Sequence, residues 1–176
     1  MGRLKRTVAL VGMMGAGKSS LGRRLAAKLD VPFRDADGEI EAAAGCSITE
    51  IFDRYGETAF RDCERKVIAR LLGEQPHVLA TGGGAFIDDD TRARIKDAAL
   101  SVWINVPLEV LVARVKRRDT RPLLRNGDAK EILSQLFRER EAVYGEADLA
   151  VPGEDGPHGA SVERILAALN EREMLE

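Results

Sequence analysis

The chain has little of the features that mark several specialised protein classes. Its 27 Lys and Arg residues are balanced by 29 Asp and Glu residues, giving a net charge of −2, whereas a general nucleic-acid binder is usually markedly basic. The two cysteines, Cys46 and Cys63, belong to no CxxC pattern and no histidine cluster. We therefore expect reduced thiols in a cytoplasmic protein, no disulfide, no cysteine-bound metal and no nucleic-acid partner.

No apolar stretch approaches transmembrane length. The basic residues Arg3, Lys5 and Arg6 precede only about four apolar residues, too few for the h-region of a signal peptide. The start Met1-Gly2 resembles a myristoylation signal, but Arg6 stands where Ser or Thr is required. We expect a soluble protein that has no membrane partner.

The composition and length fit one globular domain. Hydrophobic residues make up 44% of the 176 residues and charged residues 32%, with no internal repeat, low-complexity segment or linker. Short β-rich runs alternate with helical patterns, which predicts strands near 6–11, 31–35, 77–81, 100–105 and 148–151. The predicted fold is α/β: a single domain over 1–176, built as a three-layer α/β/α sandwich around a five-stranded parallel sheet.

Helix starts are marked at three places along the chain. Ser47-Ile48-Thr49-Glu50 has the pattern of a capping box. Asp88-Asp89-Asp90 places carboxylates at the start of another helix, and Pro107 suits a first helical position. In contrast, residues 117–130 lack periodicity, and a non-periodic stretch of that length in a compact domain is often a functional lid.

The most informative motif is a phosphate-binding loop (P-loop). Residues 12–19 read G-x-x-x-x-G-K-S, directly after the apolar run 8–11 and before a helix with Leu at 21, 25 and 29. The glycines let successive backbone N–H groups point at one anion, and the helix N-terminus adds partial positive charge. Lys18 can then reach the terminal phosphates and the Ser19 hydroxyl can bind magnesium. The chain is predicted to bind a nucleoside triphosphate.

Two further strand ends carry polar or glycine-rich segments. Asp35 and Asp37 end the second predicted strand and point to the same side, which suits one carboxylate for magnesium and one for an acceptor hydroxyl; alternatively, both are turn or cap residues. Gly82-Gly83-Gly84 ends the third strand, either as a bare floor for a ligand or as a flexible turn. That strand lacks the Asp with which P-loop enzymes often support magnesium, so Asp35 is the better candidate.

Two arginines in helical segments, Arg61 and Arg140, are candidates for binding a carboxylate through the planar guanidinium. Taken singly, each arginine is better interpreted as a solvated helix charge.

In order and spacing, these segments resemble those of shikimate kinases, within the nucleoside-monophosphate-kinase-like group of P-loop proteins. The resemblance covers about residues 7–166 and includes the P-loop, the Asp pair, the Phe60-Arg61 helix, the glycine turn, Arg121-Pro122-Leu123-Leu124, and Arg140 four residues before Tyr144. It implies ATP-dependent phosphorylation of the 3-hydroxyl of shikimate, giving 3-phosphoshikimate and ADP in the chorismate pathway of aromatic amino-acid biosynthesis. It also implies a P-loop kinase with Mg²⁺ as cofactor, ATP and shikimate as small-molecule substrates, and a monomeric state.

The resemblance also assigns roles to residues. Substrate-binding helices would span about 37–72 and a lid about 117–130. The catalytic residues would be Lys18, Asp37 and Arg121, and the metal would be held directly by Ser19 and through water by Asp35. ATP would be bound by Gly15, Ala16, Gly17, Lys18, Ser19, Ser20, Arg114 (beside the adenine) and Arg121 (on the phosphates). Shikimate would be bound by Asp37, Arg61, Gly82, Gly83, Gly84 and Arg140, with both arginines on its carboxylate.

Three alternatives are open. A gluconate kinase of the same group also acts on a carboxylated polyol. A nucleotide kinase would need a base pocket, which the arginines and the triple glycine do not resemble. A regulatory nucleotide switch would carry a guanine-selecting N-K-x-D segment, and the nearest stretch, Asn105-Val106-Pro107-Leu108, does not match it.

Overall fold

The computed structural model describes residues 3–117, 128–153 and 159–176. A five-stranded sheet lies at its centre, with the strands in the order β2-β3-β1-β4-β5 and every neighbouring pair parallel. This confirms the predicted fold class. The strands are β1 Thr7–Val11, β2 Phe33–Asp35, β3 Val78–Ala80, β4 Ala99–Asn105 and β5 Leu149–Pro152.

Helices flank the sheet, with α1 packing against α7 and α3 against α4. A short 3-10 turn, Ala85–Ile87, follows the glycine turn after β3. No helix among the described residues is long and apolar enough to cross a membrane. The helices are α1 Lys18–Leu29, α2 Ala36–Ala44, α3 Ile48–Leu72, α4 Asp89–Ala98, α5 Leu108–Lys116, α6 Ala129–Tyr144 and α7 Gly159–Glu171.

The core lies on both faces of the three inner strands. β1, β3 and β4 are buried along almost their whole length, as expected for parallel strands that are covered by helices on both sides. Helix α1 contributes Leu21, Leu25 and Leu29, which lie on one face because their spacing follows the helical period. This packing fixes the carboxyl ends of β1, β2 and β3 at one edge of the sheet.

The helix-start signals are confirmed at two of the three places. Ser47 and Glu50 form the capping box of α3, and the Asp88 carboxylate caps α4 by accepting from the Thr91 amide. The third prediction is wrong by one position: Pro107 is the N-cap of α5, whose first residue is Leu108. The extended conformation of Pro107, with ψ at 142°, places it before the first helical turn.

Two predicted boundaries also need correction. The second strand begins at Phe33 and not at 31, because the chain leaving α1 is still bonded to that helix through the Val31 amide. The segment predicted as a lid, about 117–130, overlaps the start of α6, which begins at Ala129 with Asp128 as its cap, and its role as a lid stays a prediction. Residues 118–127 lie outside the described part of the chain.

Helix α3 is interrupted at Gly56, whose φ of 85° and ψ of 173° are not helical. The positive φ favours glycine, and the kink divides α3 into two segments. The rings of Phe52 and Phe60, one from each segment, pack with their centroids 4.9 Å apart. The kink therefore sets the direction of the second segment, which carries Arg61 and Glu64.

Candidate active site

The P-loop joins β1 to α1 in a conformation that needs its glycines. Gly12, Gly15 and Gly17 have φ values of 142°, 81° and 89°. A Cβ on Gly12 would also lie 2.9 Å from the Ile104 carbonyl oxygen on β4, which is closer than van der Waals contact allows. Gly17 is the N-cap of α1, so the first amides of that helix open into the loop. The loop thus has the form of an anion cradle.

Lys18 lies within this cradle with 8% of its surface exposed. Its Nζ donates to the carbonyl oxygens of Gly12 at 2.6 Å and Met13 at 2.9 Å. The ammonium group is therefore held inside the curve of the loop by neutral carbonyl groups, at the place where a bound phosphate would compete for it.

Arg114 approaches the same loop from α5. Its Nη1 donates to the carbonyl oxygens of Gly15 and Ala16, both at 3.1 Å. The sequence resemblance assigns Arg114 to the adenine side of ATP, and the geometry brings the residue against the loop backbone. Arg121, assigned to the phosphates, lies outside the described residues, and Ser20 is an exposed residue in the first turn of α1.

Ser19 and Asp35 meet beside the loop. The Ser19 hydroxyl donates to Asp35 Oδ2 at 2.7 Å, while Asp35 Oδ1 accepts from the Asp37 amide at 3.1 Å and caps α2. One carboxylate oxygen of Asp35 thus caps a helix, as the alternative interpretation predicts, and the other faces the P-loop serine; the magnesium role stays a prediction. Hydroxyl and carboxylate oxygens are the ligands that Mg²⁺ prefers.

The described residues contain no group of three or more His, Cys, Asp or Glu side chains that would form a metal cage. A magnesium ion at Ser19 and Asp35 would accordingly need ligands from phosphate oxygens and water, which is how Mg²⁺ is usually held in phosphoryl-transfer sites.

The glycine turn after β3 is enclosed on several sides by functional groups. A Cβ on Gly82 would lie 3.0 Å from Asp37 Oδ1 and 3.2 Å from Glu64 Oε2, and one on Gly84 would overlap the Arg61 guanidinium. A Cβ on Gly83 would lie 3.1 Å from the Met14 amide of the P-loop. The turn is bare backbone because its neighbours leave no room for side chains, so it is not merely a flexible turn.

Arg61 is held at this turn by Glu64. Its Nη1 donates to Glu64 Oε1 at 2.9 Å, and a second carboxylate, Glu57, lies 3.6 Å from Nη2. Glu64 is only 1% exposed, and its Oε2 has no hydrogen-bond partner among the described residues. Burial raises the pKa of the Glu64 carboxyl, and the adjacent Arg61 partly offsets that rise. Sequence reasoning did not single out Glu64, although its spacing of three from Arg61 suits an ion pair on a helix.

Arg140 contacts the same turn from α6. It is 9% exposed, and its Nη1 donates to the Gly83 carbonyl oxygen at 3.1 Å, to which the Tyr144 hydroxyl also donates. Neither Arg61 nor Arg140 is thus a solvated helix charge. The structure brings two guanidinium groups, the Asp37 carboxylate and the bare glycine backbone to one edge of the sheet, directly beside the P-loop.

Comparison with known proteins agrees with this geometry. The family model "Shikimate kinase" matches residues 14–170. The chain is 57% identical over 166 residues to a shikimate kinase of Caulobacter vibrioides, covering 94% of this chain and 83% of that protein. The solved structure of shikimate kinase from Acinetobacter baumannii in complex with shikimate superposes with a TM-score of 0.92 at 34% identity, covering 95% of this chain and 94% of that one.

A gluconokinase from Sinorhizobium meliloti superposes with a TM-score of 0.59 at 19% identity, covering 96% of this chain and 94% of that one, which shows a shared fold alone. The identity to the shikimate kinases, over nearly the whole chain, is much higher than the identity to this gluconokinase. The chain belongs to the shikimate kinase family.

Proposed function

We propose that this chain transfers the γ-phosphoryl group of ATP to the 3-hydroxyl of shikimate, forming 3-phosphoshikimate and ADP on the way to chorismate and the aromatic amino acids. The observation that carries the proposal is the convergence of Arg61, Arg140 and Asp37 on the glycine turn, whose Gly83 lies against the P-loop residue Met14. Shikimate is a small carboxylated triol, which needs cations at one end and a hydroxyl acceptor at the other.

The acceptor substrate would lie on the glycine turn, Gly82 to Gly84. Arg61 and Arg140 would bind its carboxylate, since each guanidinium presents a planar pair of donors that matches two carboxylate oxygens. Asp37 would receive its hydroxyl end, because Oδ1 of Asp37 faces Gly82 from the β2 side. The absence of side chains at the turn would let the sugar-like ring lie against backbone.

Asp37 is the proposed base of the transfer. The 3-hydroxyl oxygen forms a bond to the γ-phosphorus, the bond from that phosphorus to the β–γ bridging oxygen breaks, and ADP leaves with the electron pair. The hydroxyl proton passes to the Asp37 carboxylate. Phosphoryl transfer asks the protein mainly for positioning and charge neutralisation, which this arrangement supplies from both sides.

The nucleotide would be bound by the P-loop amides from Gly15 to Ser20 and by Lys18. Lys18 would exchange its two carbonyl partners for phosphate oxygens. Arg114 donates to the Gly15 and Ala16 carbonyl groups of the loop, and its adenine contact remains a prediction from sequence. The contact of Arg121 with the phosphates also remains a prediction from sequence.

Magnesium would be held by Ser19 directly and by Asp35 through water, consistent with their contact at 2.7 Å. When bound, the ion neutralises charge on the β- and γ-phosphates. We further propose that the chain acts as one monomeric domain. In support, Tyr55 is the sole large hydrophobic side chain that is mostly exposed in the described residues.

A coupled assay of ADP release tests the proposal. Shikimate, gluconate and nucleoside monophosphates are offered in turn with ATP and Mg²⁺, and we expect rapid release with shikimate only. Faster release with gluconate or with a nucleoside monophosphate would refute the proposed acceptor. Omitting Mg²⁺ tests the cofactor, and size-exclusion chromatography with light scattering tests the monomeric state.

A further inference from the structure

Tyr144 lies in the last turn of α6, four residues after Arg140 and therefore on the same helix face. Its side chain is 1% exposed, and its hydroxyl donates to the Gly83 carbonyl oxygen. The Arg140 guanidinium donates to the same carbonyl oxygen. Tyrosine hydroxyl and guanidinium thus converge on one backbone carbonyl at the floor of the site.

The phenol is held as a donor by its surroundings. Burial raises the pKa of Tyr144, so the group carries its proton throughout the neutral range. A carbonyl oxygen has two lone pairs, and two donors therefore satisfy it without competing. With both sites on Gly83 occupied, the peptide cannot rotate without breaking two buried hydrogen bonds.

The ring of Tyr144 is fixed from its other side by Trp103. The two rings stack with centroids 6.0 Å apart and an interplanar angle of 28°. Trp103 lies in β4, a buried inner strand, and a Cβ on Gly12 would be 3.3 Å from its Cδ1. The position of the Tyr144 hydroxyl is therefore determined by the sheet itself and not by α6 alone.

We propose that Tyr144 is a positioning residue for the acceptor substrate: its hydroxyl fixes the Gly83 carbonyl and, with it, the guanidinium of Arg140 in the orientation that receives the substrate carboxylate. This inference rests on the proposed function, because it takes Arg140 as a carboxylate ligand. The competing interpretation is that Tyr144 only fills the core between Trp103 and α6.

The variant Tyr144→Phe separates these interpretations, because it keeps the ring and its stacking on Trp103 but removes the donor. We expect the KM for shikimate to rise about 3- to 10-fold, in line with the loss of one buried hydrogen bond. The kcat and the KM for ATP should change by less than about twofold. A merely structural role would lower the thermal stability and leave the ratio of the two KM values unchanged.

Thr7→Val is the matched control. Thr7 is 3% exposed, its hydroxyl accepts from the His77 amide at 3.3 Å, and it lies at the opposite end of β1 from the site. This variant also loses a buried hydroxyl that bonds to backbone, so it should show a similar loss of thermal stability. Its KM for shikimate should match that of the wild type.

A double-mutant cycle with Arg140→Lys tests whether Tyr144 acts through Arg140. Shikimate dissociation constants are measured by calorimetry for the wild type, both single variants and the double variant. In the background of the Arg140→Lys variant, we expect Tyr144→Phe to weaken shikimate binding by less than about twofold, because that variant has no planar guanidinium for Tyr144 to orient. Independent, multiplicative effects would overturn the proposal.

Three further outcomes are decisive. An unchanged KM for shikimate in Tyr144→Phe would overturn the positioning role, and a Tyr144→Phe protein that does not fold would assign the residue to the core. If the wild type does not phosphorylate shikimate, the proposed function fails instead. The wild-type assay therefore distinguishes failure of the function from failure of this inference.

Discussion

The two halves of the site are built in different ways. The P-loop is one contiguous stretch between β1 and α1, and its shape follows from three glycines with positive φ and from the start of a helix. The acceptor side is assembled from four separate segments: the start of α2, the second part of α3, the turn after β3 and the end of α6. Local geometry determines the first half, whereas tertiary packing determines the second.

One cation of the acceptor side is held differently from the others. Lys18 is bonded to neutral carbonyl groups, which a phosphate can replace at little electrostatic cost. Arg140 is also bonded to a neutral carbonyl group, whereas Arg61 is held by the buried Glu64 carboxylate. The cations of both halves are thus oriented before a substrate binds, which lowers the cost of ordering them at the moment of binding.

Lys18→Ala should have the largest effect, because it removes the one P-loop cation that we assign to the transferring phosphoryl group. We expect turnover to fall by at least about 10³-fold while shikimate affinity is retained. Steady-state kinetics and shikimate calorimetry measure the two quantities. Near wild-type turnover would refute the assignment of this half to the nucleotide.

Asp37→Asn should lower kcat by about 10²- to 10⁴-fold, the usual contribution of a general base. Shikimate affinity should change much less, because the amide keeps the shape of the side chain. Asp90 is an exposed carboxylate in the first turn of α4, and Asp90→Asn is the matched control, which should leave both kcat and shikimate affinity unchanged. Weakened binding with an unchanged kcat would make Asp37 a binding residue only.

Arg61→Lys and Arg140→Lys should each weaken shikimate binding by about 10- to 100-fold, since lysine keeps the charge but lacks the planar pair of donors of the guanidinium. ATP binding should stay within about twofold. Arg138→Lys, an exposed position on the same helix as Arg140, serves as the control. Calorimetry measures the affinity for each ligand. A loss of affinity for ATP alone would place these arginines in the nucleotide half of the site.

Gly84→Ala should raise the KM for shikimate several-fold, because a Cβ there would overlap the Arg61 guanidinium and displace it. The side chain can move, so we expect a loss of stability of about 1 kcal/mol. Gly159→Ala, at the start of α7 with open space around the position, is the control. An unchanged KM would show that the orientation of Arg61 is not needed for binding.

Glu64→Gln should have the smallest effect, seen in the pH dependence of the free energy of unfolding. The pKa of Glu64 is raised in the folded state, so proton binding favours folding; this contribution is complete below the unfolded pKa and is lost as pH rises through the folded pKa. The stability of the wild type relative to the variant should therefore fall as pH rises above the ordinary pKa of a glutamate, as measured by urea unfolding. A relative stability that rises with pH would contradict a raised pKa.

The sequence was sufficient to predict the sheet and the positions that meet at its edge. The five strands were located to within about two residues because turn and glycine signals bound short β-rich runs. The meeting of Asp37, Arg61, the glycine turn and Arg140 could be anticipated only through the family resemblance, since no local rule relates segments 20 or more residues apart.

The remaining details depend on tertiary contacts that leave little trace in sequence. Nothing in the helical pattern around Glu64 indicates that its carboxylate is buried. The kink at Gly56 was not predicted either, because a single glycine is also tolerated within a regular helix. The convergence of Arg140 and Tyr144 on the Gly83 carbonyl joins α6 to a turn about 60 residues earlier in the chain.

The strand order bears on how the molecule is made during synthesis. Of the five strands, β1 is translated first, yet its two neighbours are β3 and β4, so Thr7 cannot pair with Ala99 until β4 has been translated. Until then β1 has two open edges, and the long loops that must close make its pairing slow. The P-loop packs against Trp103 and Ile104 of that late strand. The part of the active site that is translated first is consequently among the last to take its working shape.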